Sequence, residues 1–408
     1  MLVGKTLENF ADLVIKIGVN LQKEQGLEIV CPVEKSDIAV ALTKSAYKHG
    51  AKIVQVRWEC EKVDILNYTN AETSTLCDIP KWKIASRNYL VDNNFCYIAI
   101  SADNPSAFKD IDPKKIGAVA KSRAKALKKY MNSVMSNGIR WCVVSVPTYD
   151  WAKQVFPSSL NPEEDLSNLI EKTMRLDYDN PIFAWEEHIK KLEERAKFLN
   201  NARFKYLHFE NTLGTNLMVG LCDNHKWLSA NELAKDGVNF VANLPTEEVF
   251  TAPHRLRVDG TLKSALPLCE NGQVIDNFTI TFKKGKIIDY SAEQGYETLK
   301  QLIETDNGTS RLGEVALIGK NSPIAQSKTL FYNTLFDENA SCHLAIGKAY
   351  PTTVIDGEHL TPKQLKELGV NDSAEHFDFM IGTSDLSVTG IKENGEKIKL
   401  FIDGEWVI

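Results

Sequence analysis

Short apolar runs alternate with longer amphipathic stretches through the first part of the chain. LEIVC (27–31), KIVQVR (52–57), FCYIAI (95–100) and WCVVSV (141–146) each have the length and composition of a strand. The stretches between them have helical periodicity, as in KIGAVAKSRAKALKKYMNSVM (115–135). Strands separated by helices of this length predict a mostly parallel sheet covered by helices. We therefore predict an α/β N-terminal domain over residues 1–182.

A single long helix separates this part of the chain from a different pattern. Trp185, Ile189 and Leu192 form one apolar stripe in FAWEEHIKKLEERAKFLN (183–200). After residue 200, paired apolar runs flank turns: FKYLHF and NLMVGL, FTITF and KIIDY, KLFI and WVI. These hairpins predict an α+β C-terminal domain with a mostly antiparallel sheet. We assign it to residues 183–408, with 183–200 as its connecting helix.

Composition and charge narrow the class of protein. The net charge is −6 without a basic stripe, so we expect no nucleic-acid partner. No run of about 18 apolar residues exists, so we expect no membrane partner. The N-terminal segment places Glu8, Asp12 and Lys16 between its apolar residues, which predicts an amphipathic helix and not an export signal. The eight cysteines form no CxxC pair, which is typical of buried, reduced thiols in the cytoplasm.

Well-known catalytic and nucleotide-binding motifs are absent. The chain has no HExxH, GxSxG, GxGxxG or GxxxxGK[ST] sequence. Potential metal ligands of the imidazole and carboxylate type instead recur through the second half. The sequence therefore directs attention to a metal site built from dispersed residues.

The clearest candidate pair is His376 and Asp378, in AEHFDFMIG (374–382). The apolar run that follows predicts a strand, on which residues i and i+2 share a face. Phe377 and Phe379 would then pack on the opposite face. An imidazole and a carboxylate suit zinc, cobalt or manganese, although a buried His–Asp hydrogen bond would give the same pattern.

Three other segments contain weaker candidates. Glu314 lies inside the apolar strand RLGEVALIG (311–319), where burial of a lone carboxylate is costly without a cation. Arg255 or Arg257 could supply that cation instead of a metal. Glu247 and Glu248 in NLPTEEVFTAPHR (243–255) should point to opposite sides, and a solvated acidic loop is the alternative.

A further histidine lies in FDENASCHLAIGKAYP (336–351), which we predict to be a short helix. Tyr350 is seven residues beyond His343, and a persistent helix would place both on roughly one face. A lone helical histidine is more often a hydrogen-bonded core residue than a ligand, so this segment alone does not decide its role.

Taken together, the last four segments resemble the aminopeptidase T / aminopeptidase S family of bacterial metallo-aminopeptidases. The likeness extends over the whole chain in length and order, and is strongest in NLPTEEVFTAPHR, GEVALIG, DENASCHLAIGKAYP and HFDFMIG. The resemblance implies an N-terminal α/β domain, a metal-holding C-terminal domain, a homodimer and peptide substrates with a free N-terminus. It implies a tyrosine beside the metals at Tyr350, with Glu314 and Asp378 bridging two ions. The implied metal ligands are Glu248, Glu314, His343, His376 and Asp378.

The chemistry of this implied set agrees with two ions. Three carboxylates and two histidines are too many ligands for one tetrahedral catalytic zinc with an open position, but fit two ions that share carboxylates. Zn²⁺ or Co²⁺ are the expected metals, with Mg²⁺ or Mn²⁺ as alternatives. A water activated between the ions would attack the first peptide bond, with Tyr350 as a hydrogen-bond donor to the oxyanion.

Several questions stay open at this stage. The general base is unassigned, with Glu247 and Glu338 as candidates. Another dinuclear amidase or dipeptidase would use the same ligands, and a scaffold protein with a degenerate site is the non-enzymatic alternative.

Overall fold

The structure is a computed structural model that describes residues 2–270 and 273–408. It divides into two compact units, the first of which comprises the chain up to Glu187 together with Asn231–Pro245. The second unit comprises His188–Ala230 and Thr246–Ile408. The boundary predicted after residue 182 falls in the same helix as the division at Glu187, and we retain it as a prediction.

The first unit contains nine α-helices and seven strands among its described residues. A tenth helix, α10 (Pro181–Ala202), begins in this unit and ends in the second. The strands are β1 (Gly26–Pro32), β2 (Ile53–Glu59), β3 (Cys96–Ile100), β4 (Trp141–Val144), β7 (Asn231–Leu233), β8 (Asn239–Val241) and β9 (Asn243–Leu244). The helices are α1 (Gly4–Leu13), α2 (Ser36–Lys48), α3 (Glu61–Asn70), α4 (Thr73–Cys77), α5 (Lys81–Asp92), α6 (Pro113–Ala126), α7 (Lys128–Met135), α8 (Tyr149–Val155) and α9 (Pro162–Thr173).

The core of this unit is a parallel sheet in the order β2-β1-β3-β4-β9. Strand β1 is buried along nearly its whole length, as expected of a strand with helices on both faces. In contrast, β2 is an edge strand and contributes no buried residue. The four predicted strands are confirmed, whereas the fifth, β9, comes from the later segment Asn231–Pro245.

The second unit is dominated by antiparallel pairing. Its strands are β5 (Tyr206–Glu210), β6 (Asn216–Leu221), β10 (Val249–Thr251), β11 (Pro253–Lys263), β12 (Leu268–Glu270), β13 (Gln273–Ile275), β14 (Thr279–Lys283), β15 (Lys286–Ser291), β16 (Leu312–Leu317), β17 (His343–Gly347), β18 (His376–Met380), β19 (Ser387–Ile391), β20 (Lys397–Ile402) and β21 (Glu405–Trp406). Its helices are α11 (Tyr296–Ile303), α12 (Pro323–Ser327), α13 (Thr334–Asp337) and α14 (Pro362–Glu367).

Two larger sheets contain twelve of these strands, and β12 and β13 pair with each other in a separate two-stranded sheet. The larger has the order β15-β14-β11-β6-β5-β19-β20-β21, and it contains all three predicted hairpins. The smaller has the order β10-β16-β17-β18. The predicted fold class, an α/β domain followed by an α+β domain, is confirmed. Within the part of the chain that the structure describes, no helix has the length and apolar character needed to cross a bilayer.

The segment around His343 differs from its prediction. We expected a helix, but helical structure ends with a 3₁₀ turn at Glu338–Ala340, and His343 begins strand β17. All five residues of β17 are buried, and the strand lies between β16 and β18. Sheet pairing on both sides therefore overrides the helical propensity of its leucine and alanine. Tyr350 lies beyond the strand, not on a shared helix face.

Phe379 provides a test of this arrangement, because its ring packs on the buried face of β18. It is 2% exposed and makes an edge contact with Phe278 at a centroid distance of 5.7 Å. Phe379→Ala should lower the free energy of unfolding by about 3–5 kcal/mol, measured by urea denaturation of the metal-free protein. The control Ile402→Ala, at a site 48% exposed, should change it by less than about 0.5 kcal/mol. Equal effects of the two substitutions would contradict the assigned strand face.

Candidate metal centre

Three strands of the small sheet, and the residue that immediately precedes the fourth, supply the five candidate ligands. Glu248 immediately precedes β10, Glu314 lies in β16, and His343 is the first residue of β17. His376 and Asp378 both lie in β18, as predicted. The five side chains therefore come from one continuous platform within the second unit.

Strand register places these side chains on the same face of the sheet. Glu314 lies opposite Ala345, which in turn lies opposite Asp378. Residues opposite one another in antiparallel strands share a face, as do alternate residues along a strand. His343 and His376 therefore project on the same side as Glu314. Val249 is paired with Leu317, which lies on the opposite face from Glu314. Glu248 immediately precedes Val249, so it projects on the same side as Glu314.

The opposite face of the sheet is apolar. Val315, Leu317, Leu344, Phe377 and Phe379 alternate with the candidate ligands, and all are buried. Hydrophobic burial of that face fixes the strands, and pleating then directs the polar side chains to the other side. Folding of the core and assembly of the site thus depend on the same alternation.

Distances within the cluster are short. His343 Nε2 lies 3.3 Å from Glu248 Oε2 and 3.8 Å from Glu314 Oε1. Two groups have the spacing of a metal site: Glu248, Glu314 and His343, and Glu314, His376 and Asp378. Glu314 belongs to both groups.

The orientation of His376 suits a metal ligand. Its Nδ1 lies 2.7 Å from the carbonyl oxygen of Lys348, to which it must donate a hydrogen, because a carbonyl only accepts. In a neutral ring, Nε2 then has a lone pair and no proton. That atom lies 3.3 Å from Asp378 Oδ1 and 3.5 Å from Glu314 Oε2. Lone pairs converging in this way repel one another unless the ring is protonated or a metal ion lies between them.

The charges of the cluster also favour a bound cation. Glu248, Glu314, Asp378 and the nearby Glu338 contribute four negative charges when ionised, while His343 and His376 contribute at most two positive ones. No lysine or arginine in the described part of the chain forms an ion pair with Glu248, Glu314 or Asp378. A divalent cation would compensate the remaining charge, and mixed carboxylate and imidazole donors fit one.

The pKa values of the cluster reflect this excess of negative charge. Burial, reinforced by Asp378 and Glu248, raises the pKa of Glu314 despite its two histidine neighbours. Burial disfavours the charged form of His376, but Asp378 and Glu314 outweigh it and raise its pKa to about 10. Glu248 and Glu314 likewise raise the pKa of His343 well above its usual range, against the effect of burial. Protonation of these groups would offset part of the negative charge.

Two alternatives from the sequence are not supported by the contacts. Arg257 pairs with Asp223 at 2.8 Å. Among the described residues, the ion pairs of Glu314 are with His343 and His376, and neither arginine takes part. Glu247 and Glu248 are both buried and do not form a solvated loop.

Glu247 points away from the cluster, as predicted from its alternation with Glu248. Its Oε2 lies 3.5 Å from His188 Nε2, and its backbone N–H donates to Asn339 Oδ1 at 2.8 Å. Asn339 thus holds the loop that presents Glu248. Sequence inspection missed both Asn339 and His188, since nothing along the chain connects them to that loop.

Glu338 is the additional carboxylate that faces the cluster. It lies in the 3₁₀ turn before His343, and Asn339 Nδ2 is 3.5 Å from its Oε1. Burial of its carboxyl group, followed by the charges of Asp378 and Glu248, holds its pKa well above the usual range. The sequence analysis named Glu338 as a candidate for the general base, but nothing in the sequence indicated where its side chain lies.

Tyr350 also lies beside the cluster. Its ring centroid is 5.2 Å from that of His376, and it makes an edge contact with Phe250 at 6.3 Å. The sequence placed Tyr350 near His343 through a helix that does not exist. Its position next to His376 comes instead from the loop that follows β17.

A sheet face of carboxylates and imidazoles without a balancing arginine or lysine is typical of a metal-dependent hydrolase. The chain belongs to the thermophilic metalloprotease family, M29, whose model matches residues 3–406. It is 42% identical over 405 residues to Aminopeptidase 2 of Geobacillus stearothermophilus, with 98% of each protein covered. It is 40% identical over 406 residues to Aminopeptidase AmpS of Bacillus subtilis (strain 168), covering 99% of this chain and 98% of AmpS.

The chain also resembles a solved structure in its fold. Wild-type AmpT from Thermus thermophilus matches with a TM-score of 0.93 and 34% identity, and 99% of each chain is covered. The predicted family and the predicted enzyme class, a metal-dependent aminopeptidase, are therefore confirmed. The individual roles of the five candidate ligands and of Tyr350 stay predictions.

The raised pKa of His376 predicts how the stability of the metal-free protein depends on pH. A histidine whose folded pKa is about 10, against 6.5 when unfolded, stabilises the fold below pH 6.5. That contribution is lost as the pH rises towards 10. The melting temperature of chelator-treated protein should therefore fall between pH 6.5 and pH 10, and less steeply in His376→Gln. Parallel curves for the two proteins would contradict a charged His376.

Proposed function

We propose that this aminopeptidase removes N-terminal residues with two divalent ions held by Glu248, Glu314, His343, His376 and Asp378. The single observation that carries the proposal is the position of Glu314 between two imidazoles. Its Oε1 faces His343 at 3.8 Å and its Oε2 faces His376 at 3.5 Å. One carboxylate directed towards two histidines supports a bridging role.

Each ion has its own set of ligands in this proposal. Glu248, Glu314 and His343 would hold one ion, and Glu314, His376 and Asp378 the other. Asp378 Oδ1 is buried without a hydrogen-bond partner and lies 3.9 Å from His343 Nε2, which supports a second bridging carboxylate. The small residues Ala345 and Gly347 occupy the same face and leave room between the ligands.

The donor set favours borderline metals. Two imidazoles with three carboxylates suit Zn²⁺ or Co²⁺, with Mn²⁺ or Mg²⁺ as weaker candidates. When bound, such ions lower the pKa of water and polarise a carbonyl group.

Side chains of the protein would manage the protons and the charge that develops. We assign Glu338 as the general base, because its carboxyl group is close enough to Asp378 and Glu248 for their charges to raise its pKa. It would take the proton of the attacking water and return it to the leaving amine. Tyr350, beside His376, would donate a hydrogen bond to the developing oxyanion.

Restriction to N-termini follows from the charge of the site. The protonated α-amine of a peptide would be attracted to the carboxylates, and the neutral amine could coordinate a metal ion. An acetylated terminus offers neither. Internal peptide bonds would therefore not be positioned for hydrolysis.

The proposal also includes the oligomeric state of the protein and its location in the cell. We expect a homodimer, on the resemblance of the sequence to the aminopeptidase T / aminopeptidase S family. A cytoplasmic location is supported by the eight cysteines, all of which are free thiols.

Substrate blocking tests the proposed activity. Leucyl p-nitroanilide should be hydrolysed, whereas its N-acetylated form should not, because the acetyl group removes the amine that the site attracts. The hydrolysis of both substrates is measured by the absorbance of the released nitroaniline at 405 nm. A chelator should abolish the activity, and Zn²⁺ or Co²⁺ should restore it. Equal hydrolysis of both substrates would identify an amidase instead.

Replacement of Glu338 tests the assigned base. Glu338→Gln should lower kcat by about 10²–10⁴-fold, since glutamine cannot accept the proton. Metal content, measured by mass spectrometry, should remain that of the wild type. Glu367→Gln, at an exposed position of the same unit, is the control and should leave kcat unchanged. Loss of metal would make Glu338 a ligand, and an unchanged kcat would remove it from the mechanism.

Tyr350→Phe separates a catalytic hydroxyl from a structural one. Loss of one hydrogen-bond donor to an oxyanion should reduce kcat by about 10²-fold, with KM and bound metal little changed. Tyr296→Phe, at an exposed site, provides a matched control. A variant that binds less metal at full kcat per ion would show that the hydroxyl supports the ligands.

A further inference from the structure

One buried amide in the second unit connects the loop before β10 with the turn before β17. Asn339 lies in the 3₁₀ turn Glu338–Ala340 and is 0% exposed. Its Oδ1 accepts a hydrogen bond from the backbone N–H of Glu247 at 2.8 Å. The next residue along that loop is Glu248, and the residue before Asn339 is Glu338. A single side chain therefore ties the loop that carries a candidate ligand to the turn that carries the candidate base.

The partners of this side chain require an amide at residue 339. The backbone N–H of Glu247 can only donate, so it needs the oxygen of the amide. The carbonyl oxygen of Leu335, 3.0 Å from Nδ2, can only accept, so it needs the nitrogen. Nδ2 also lies 3.5 Å from Glu338 Oε1, which accepts as well when the carboxyl group is ionised. A carboxylate in place of the amide would set an oxygen against acceptors, and an apolar side chain would make neither bond.

The turn that contains Asn339 is fixed to the structure around it. Asp337, the last residue of α13, accepts hydrogen bonds from the backbone N–H groups of Phe331 and Asn333 at 2.7 Å and 3.0 Å. The backbone carbonyl of Asn339 accepts a hydrogen bond from Ser322 Oγ at 3.3 Å. The side chain of Asn339 can therefore hold the neighbouring loop against a rigid support.

We propose that Asn339 is a positioning residue that sets the distance between the metal ligand Glu248 and the general base Glu338. This role rests on the proposed function, because it takes Glu248 as a ligand and Glu338 as the base. The amide would contact neither the metal nor the substrate, and would act through the two segments that it joins. Replacement of residues that orient metal ligands in this way typically costs about 10–100-fold in metal affinity or activity.

Two substitutions separate the two ends of the amide. Asn339→Leu removes both hydrogen bonds with little change in size, so zinc affinity and kcat should each fall by about 10–100-fold. Asn339→Asp keeps an acceptor for the N–H of Glu247 but sets an oxygen against Leu335 and Glu338. Its zinc affinity should stay close to that of the wild type, while its kcat should fall by about 10–100-fold with KM little changed.

Zinc affinity is measured on chelator-treated protein by competition with a chromophoric zinc chelator. The kcat and KM values are measured on the zinc-loaded protein with leucyl p-nitroanilide. Urea denaturation of the metal-free proteins reports whether each variant folds. If Asn339→Leu does not fold, Asn339→Ser replaces it, because a serine hydroxyl is too short to join the same two segments and should give the same losses.

The matched control is Asn211→Leu, which removes another asparagine that joins two segments of the second unit. Asn211 Oδ1 accepts from the backbone N–H groups of Gly214 and Thr215 at 3.1 Å and 2.9 Å. Its Nδ2 donates to the carbonyl oxygen of Ile381 at 3.4 Å. This variant should lose stability in urea but keep the zinc affinity and kcat of the wild type.

Three results would overturn the inference. Wild-type zinc affinity in the leucine or serine variant would show that the amide does not hold Glu248. Wild-type kcat in Asn339→Asp would show that it does not hold Glu338. Equal losses in Asn211→Leu would assign the effects to stability alone. Absence of hydrolysis by the wild type would count against the proposed function, while zinc affinity would still decide whether Asn339 holds Glu248.

Discussion

The structure of the second unit depends on how it accommodates several carboxylates within one buried space. Glu248, Glu314 and Asp378 converge on the same face of a sheet, and Glu338 lies close to them. Two imidazoles cannot balance this charge, and no arginine or lysine pairs with these three ligands among the described residues. Burying such a group is unfavourable unless cations or protons neutralise it. This charge balance, together with membership of a metalloprotease family, supports the proposal that the cluster is a metal centre.

The pleat of the small sheet brings the candidate ligands together on one face. Its apolar face contributes to the core, and the alternate residues form the cluster. The centre of the polar face is filled by the smallest side chains, Ala345 and Gly347. Gly347 has φ +106, and a Cβ there would meet the carbonyl oxygen of Glu375 at 2.1 Å. Glycine is thus required by the backbone, and its lack of a side chain also keeps the space near His376 open.

The sequence predicted what depends on local spacing. His376 and Asp378 are two residues apart on a strand, so their common face follows from the pleat alone. Four strands of the first unit and the three hairpins of the second were also predicted, because their periodicity and turns are local. The helix predicted over 115–135 is divided into α6 and α7. The helix expected around His343 was wrong, since β17 is buried throughout and its short apolar run lacks the alternation of a half-buried strand. The helix face that would have joined Tyr350 to His343 is likewise absent, although the resemblance had also implied a tyrosine beside the metals.

Other features depend on tertiary structure and could not be predicted. The register that sets Ala345 between Glu314 and Asp378 is a property of three paired strands. The contact of Asn339 with Glu247 joins residues 92 positions apart. The strand β9 returns from a segment that reads as part of the second domain. Sequence spacing contains no information on any of these relations, although the resemblance to a known family supplied the ligand set.

The most direct measurement of the central claim is anomalous diffraction from crystals of the protein loaded with Zn²⁺, collected on both sides of the zinc absorption edge. Our account predicts two anomalous peaks per chain, both contacted by Glu314 and Asp378, with His343 at one and His376 at the other. A single peak, or peaks remote from these residues, would contradict it.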